Sequence, residues 1–375
     1  MNRLPIWVKI VLVTVLVIGL PSGSSSAQDG MSDATETLSK YFSYGLCAAG
    51  IRTESDDEIM FGYIDTTGTF IINPQFDRVQ SFSDGLAAVM LGDKWGYIDT
   101  SGTFVINPQF DSAYNFSDGL AEVRLGDLET RKYGFIDTSG KYVINPQFDW
   151  ALSFSDGLAA VGIGDWETKK YGFIDTSGTL VINPQFDFAL PFFDGLAAVR
   201  LGDWETGKSG YINTSGKYVI NPQFDFARSF SDGLAAVRLG EKWGYIDTSG
   251  KYVSNPQFDE TSSFSDGLAA VRLGEKWGYI DTSGTFVINP QFDWADNFSD
   301  GLAAVNISNE WGYVDTSGTF VINPQFDGAW SFSDGLAKVG IGEIETGKYG
   351  FIDTSGKYVI NPQFDSLRSW ESALY

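Results

Sequence analysis

The 375-residue chain has no histidine and one cysteine, Cys47. Lack of imidazole removes histidine acid-base catalysis, and the two shortages together remove a Cys/His zinc site and an intrachain disulfide framework. Cys47 stands among small apolar neighbours in YGLCAAGI, the setting of a buried core thiol rather than a reactive one. Positive charge is also scarce: 25 basic residues face 48 acidic ones, for a net charge of -23. Such a surface repels nucleic-acid phosphates and anionic lipid headgroups. A protein, a glycan, a cationic polymer or Ca2+ stays open as a partner, and solubility alone also accounts for the charge.

A long apolar run occurs only near the N-terminus. Arg3 and Lys9 supply positive charge, IVLVTVLVIGL follows from Ile10 to Leu20, and PSGSSSA supplies small residues. That order predicts an export signal over residues 1–27, cleaved after Ala27, because the apolar stretch is short for a membrane anchor. The expected location is extracellular, periplasmic or cell-surface, and residues 28–40 read as a polar linker.

What is abundant is repetition. Units aligned on an aromatic-Gly pair begin at Phe61, Trp95, Tyr133, Tyr171, Ser209, Trp243, Trp277, Trp311 and Tyr349, spaced by 34 or 38 residues. WGYID and TFVIN are aromatic and β-branched, with the turn residues DTSG between them; FSDG is a second turn and LAAVRLG a third strand. Asn-Pro in each unit opposes a continuous helix. The longer units insert four residues, as GDLETRKYG beside GEKWG shows, and two per arm would lengthen a hairpin without turning any side chain to the other face. Leu128, Trp166, Trp204 and Ile344 would then sit at hairpin tips.

One unit is too small to bury its own apolar residues, so units must stack on their neighbours. Residues 41–60 read as a divergent partial repeat, residues 61–365 as nine repeats and residues 366–375 as a cap. The expected fold is all-β: a tandem array of antiparallel hairpin/meander units forming an open β-solenoid or superhelix. A closed β-propeller-like ring is the alternative, with the first strand completing the last unit. Thirty-four residues barely hold the four strands of a propeller blade, which favours the open form.

The phrases KWGYIDTSG, INPQFD and FSDGLAAV, recurring in order from Phe61 to Asp365, resemble the WG-repeat proteins, a bacterial family named for the Trp-Gly pair. Ser209, Asn213 and Ser254 depart from the pattern. The resemblance implies a non-enzymatic binding or scaffolding role.

DTSG invites comparison with the catalytic loops of aspartic proteases, but it recurs in nearly every unit, and Asn213 replaces its aspartate once, as a hydrogen-bonded turn allows. Aspartates at three positions per unit, such as Asp99, Asp111 and Asp118, leave weak Ca2+ binding open, although no compact D-x-D-x-D loop occurs. Residues just after QFD differ from unit to unit, and several are large aromatics. Tyr114, Trp150, Phe188, Phe226, Trp294 and Trp330 are therefore the candidate ligand-binding residues, although they could instead fill gaps between units. No catalytic residue, metal ligand or cofactor is assigned. The functional expectation is an exported, non-enzymatic binding or scaffold protein recognising a protein or glycan. The alternatives are a carboxylate-based glycoside hydrolase or a Ca2+-dependent adhesion module.

Overall fold

Each DTSG segment folds because its aspartate replaces missing backbone partners. Asp99 Oδ1 accepts from Ser101 N at 2.9 Å, Ser101 Oγ at 2.6 Å and Thr103 N at 3.0 Å, joining the strands Lys94–Asp99 and Phe104–Phe110. The Ser101 hydroxyl and these amides hold the Asp99 carboxyl below its ordinary pKa. Asn213 Oδ1 repeats the arrangement with Ser215 N and Lys217 N at 3.1 Å each, so the motif works as a turn rather than an acid. The computed structural model describes residues 41–53, 58–127, 129–165, 168–343 and 346–368. The signal and linker expectations, the residues past 368, and the tip positions Leu128, Trp166 and Ile344 lie outside the described residues.

The Trp-Gly pair has a steric basis. Opposite it the outer strand bulges: Trp95 pairs with Phe110 and Tyr97 with Ile106, and the backbone of Ile106, Asn107 and Pro108 crowds against Gly96. A Cβ on Gly96 would stand 2.5 Å from the Ile106 carbonyl oxygen and 2.7 Å from Pro108 N. Proline, which cannot donate to the ladder, is tolerated in such a bulge at a sheet edge.

These hairpins assemble into nine four-stranded antiparallel sheets. We number them as blades 1 to 9. Blade 2 contains Arg78–Val79, Leu86–Leu91, Lys94–Asp99 and Phe104–Phe110 in that order. Each blade therefore takes strands from two consecutive sequence units. The hydrophobic cores lie between blades: Tyr97, Ile106 and Phe110 of blade 2 pack with Ala113, Phe116 and Val123 of blade 3.

The blades form an evenly spaced ring around a common axis, which corrects the expectation of an open solenoid or superhelix. Gly102 in the turn of blade 2 faces Ile72 of blade 1, and Gly68 of blade 1 faces Ile360 of blade 9 in the same way. The first joint is thus equivalent to the others. Ser366–Arg368 pairs with Cys47–Arg52 to complete blade 1, so the segment read as a cap supplies a closing strand. Four strands fit in 34 residues because the first is only two residues long in most blades, as in Trp150–Ala151. Cys47 is buried in the closing joint, where desolvation pushes its thiol up to about 12, as expected of an inert core cysteine.

The four-residue insertions do not lengthen strands. Leu125 pairs with Lys132 in a long unit as Leu91 pairs with Lys94 in a short one, so the added residues stay in the connecting loop. Asp127 Oδ1 organises one such loop by accepting from Glu129 N and Thr130 N. A self-contained loop costs less than extending a two-stranded arm beyond the blade.

Glu122 carries a testable cost. It is 4% exposed where blades 2 and 4 have Ala88 and Ala160, and burial pushes its carboxyl well above the ordinary range. The unfolded chain ionises first, so the penalty appears as pH rises above ~4.3 and grows toward the folded-state pKa. Glu122→Ala is expected to gain about 1–3 kcal/mol at pH 7 and almost nothing near pH 4. Thermal melts of both proteins at the two pH values check this; an unchanged melting temperature at pH 7 would contradict it.

Candidate binding cleft

The six aromatics after QFD lie at or beside the short strands, where each meets its surroundings differently. Trp150 packs edge-on against Tyr171 at 5.0 Å, Phe188 lies between Tyr171 and Trp204 at 5.9 and 5.3 Å, and Phe226 packs on Trp243 at 5.7 Å. Tyr114 is half-buried against the core between blades 3 and 4, and its carbonyl accepts from the Tyr97 hydroxyl at 2.8 Å. Trp294 is 48% exposed, leans on Trp277 at 5.4 Å and donates its Nε1–H to Asp296 Oδ1 at 3.1 Å. Trp330 packs on Tyr349 at 5.7 Å. They are thus distributed among the blades rather than gathered at one point, and five of the six are half-buried.

One place breaks the repetition. In blade 9 the first two strands face each other through Gly328 and Gly340, followed across the sheet by Tyr349. Other blades pair Trp150 with Gly162, Phe188 with Arg200, Phe226 with Arg238 and Trp294 with Asn306 at these positions. Blade 1 pairs Ser366 with Gly50, but Ile59 and Phe61 occupy the space over that glycine. Over Gly328 and Gly340 the Trp330 and Tyr349 rings take the corresponding place, and a cavity of about 450 Å³ opens beside them between blades 8 and 9. Trp311, Trp330 and Tyr349 line it together with Asp296 and Asp327. A smaller hollow of about 230 Å³ shares Trp330 and Tyr349 and is also bordered by Lys338 and Leu367.

The charge pattern changes at the same spot. In seven blades the lysine preceding the aromatic-Gly pair binds the QFD aspartate at the far end of the outer strand, as Lys94 binds Asp111 at 2.6 Å and Lys276 binds Asp293 at 2.5 Å. The ammonium holds the Asp111 carboxyl below its ordinary range. Glu310 stands in the lysine position of blade 8, next to Trp311. Asp327 Oδ2 keeps the structural bond from Gly342 N at 2.8 Å, as Asp111 Oδ2 does from Gly126 N. Its Oδ1, the atom that takes lysine in seven other blades, has no such lysine; in blade 1 Met60 stands at the lysine position.

A family model for the WG containing repeat matches nine successive segments, residues 61–95, 95–128, 133–165, 171–203, 210–243, 243–277, 277–311, 311–343 and 349–375. The chain belongs to the WG-repeat family. Membership of this repeat family supports a non-enzymatic protein, and two carboxylates beside the cleft do not change that: Asp327 does the structural work of its counterparts in other blades. No curated protein matches the WG-repeat sequence. Among solved structures, a crystal structure of the eukaryotic initiation factor is 13% identical with a TM-score of 0.61, covering 86% of this chain and 96% of that one. This likeness shows the fold alone. The tricorn protease (13% identity, TM-score 0.24) and the Pyrococcus horikoshii acylaminoacyl peptidase (10%, 0.37) are matched over 84% and 74% of this chain. The WG-repeat chain spans 39% and 57% of those two, and neither carries a functional argument.

Among the described residues no group of three or more Cys, Asp or Glu side chains is placed to hold a metal ion, and no helix is long and apolar enough to cross a membrane. The repeated aspartates considered for Ca2+ are instead spread around the ring in turns and lysine pairs. Sequence reasoning found Trp330 in the cleft but missed Gly328, Gly340, Trp311, Tyr349 and Asp327. The available signal was Glu310, where most neighbouring WG repeats have lysine.

Proposed function

We propose that the chain is an exported, non-enzymatic binding module that engages a protein partner at the cleft between blades 8 and 9. The observation supporting this is the cavity of about 450 Å³ between blades 8 and 9, with Trp311, Trp330 and Tyr349 on its walls beside Asp327. Aromatic side chains provide large contact area with few torsions to freeze, so a shallow pocket of this kind suits an anchor residue. The carboxylates Asp296 and Asp327 favour a basic protein surface over a neutral glycan. Export rests on the ordered basic, apolar and small-residue segments of residues 1–27.

The test uses mature protein, residues 28–375, as bait on extracellular fractions of its host, beside a Gly340→Arg variant. Blades 3, 5, 6 and 7 already carry Arg124, Arg200, Arg238 and Arg272 at that position, so the variant should fold. We expect a partner whose capture falls at least tenfold in the variant while the melting temperature is unchanged. Equal capture would remove the cleft from the function, and capture by immobilised glycans alone would remove the protein partner. Intact mass of the exported chain should show loss of residues 1–27.

A further inference from the structure

We infer that the cleft between blades 8 and 9 receives the side chain of a lysine from the partner, its ammonium taking the place on Asp327 that the chain's own lysine holds in seven other blades. The inference rests on the binding reading above and names the chemistry of what is bound. Two unrelated departures from the repeat meet there. At Gly328 and Gly340 the absence of side chains lets the Trp330 and Tyr349 rings fold over the strand pair and wall the cavity, and Glu310 stands where an ammonium would neutralise Asp327. Either alone would leave a hollow or an uncompensated charge; together they leave a cavity with a carboxylate on its wall.

The dimensions and lining agree. A cavity of about 450 Å³ accommodates a four-carbon stem, and the Trp311, Trp330 and Tyr349 rings supply apolar surface for its methylenes. At the far end the ammonium would meet Asp327 Oδ1, by analogy with the distances of 2.5 to 2.7 Å in other blades. Trp330 already faces one ammonium, since Lys338 Nζ lies 3.8 Å from its ring centroid. Lys338 borders the smaller hollow and donates to the Leu367 carbonyl at 3.1 Å. The net charge of -23 adds long-range attraction for a basic surface.

The experiment titrates the mature protein with Nα-acetyl-lysine methylamide and with its neutral counterpart, Nα-acetyl-norleucine methylamide, followed by NMR of indole N–H signals. The lysine probe should bind at least tenfold more tightly than the neutral one and shift the Trp311 and Trp330 signals. Glu310→Lys should weaken the lysine probe at least tenfold while keeping or raising the melting temperature, because it restores a pair already present in seven blades. Gly340→Arg should do the same by filling the space. Equal affinity for the two probes overturns the lysine ligand but leaves a binding cleft. Unchanged lysine affinity in Glu310→Lys, or no response of the indole signals, also overturns it. Loss of partner capture in Gly340→Arg with full capture in Glu310→Lys would keep the binding module and exclude lysine as its anchor.

Discussion

Removing residues 366–375 is expected to lower the melting temperature by on the order of 10 °C. Ser366–Arg368 is the only strand joining the C-terminal end of the described chain to blade 1, and Leu367, 3% exposed, packs with Tyr41, Phe42, Cys47 and Phe364 in that joint. Loss of the buried leucine alone costs about 2–5 kcal/mol. A further bond, from Lys338 Nζ to the Leu367 carbonyl at 3.1 Å, ties the closing segment to blade 9 and goes with it. At roughly 2–4 °C per kcal/mol for chains of 150–250 residues, and less for longer ones, the combined loss gives the stated shift. Leu367→Asp should approach the same result with the strand still present, because it places an unpaired carboxylate in the core. Calorimetry of the three proteins is the measurement. If the truncated chain melts within about 2 °C of the full one, the closing strand does not hold the ring.

Gly62→Ala is the second large effect, with an expected loss of about 3 kcal/mol or more. The added Cβ would lie 2.2 Å from the Ile72 carbonyl oxygen and 2.7 Å from Pro74 N, both backbone atoms of the bulged outer strand. Overpacking against movable side chains costs about 1–3 kcal/mol, and a backbone cannot swing aside as a side chain can. Gly85→Ala makes a useful contrast: its φ is +77° but nothing lies within 4 Å of the new Cβ, so only the left-handed conformation is penalised, by about 1 kcal/mol. Denaturant titration should rank Gly62→Ala well below Gly85→Ala. The reverse order would mean that the Trp-Gly glycine is not required by the close approach of the bulge.

Much of this architecture was legible because its causes are local. The DTSG turn follows from an aspartate whose oxygen reaches three donors, and even Asn213 keeps the geometry. Sharing of cores between units follows from their small size. Closure was legible only as the alternative, with the first strand completing the last unit; it stood below the open array because the closing strand is only SLR and strands as short as Trp150–Ala151 carry too little pattern to be recognised. The insertions misled for a related reason: period-two arithmetic permits longer arms, but hydrogen bonding by Asp127 makes a compact loop instead.

The cleft was hidden in a different way. Looking for exposed chemistry selects large variable side chains such as Trp330, yet that ring takes its place on the cleft wall because Gly328 and Gly340 have no side chains beneath it and Tyr349. Similarly, Asp327 looks identical to its counterparts until Glu310 is read as the loss of a partner 17 residues before it, the separation seen for Lys94 and Asp111.

The closing joint also sets how the ring would respond to tension. Its ladder pairs Ala48 with Arg368, Ala49 with Leu367 and Gly50 with Ser366. The ring runs on from Gly50 toward the second strand of blade 1 and reaches Ser366 from Asp365, so both points of attachment lie at the end of the antiparallel ladder where Gly50 faces Ser366. A pull on the two sides therefore loads one rung at a time, as a zipper is loaded, rather than all three in shear. The ring would open at this seam under forces too small to strip a blade, making the joint that closes the structure also its mechanical fuse.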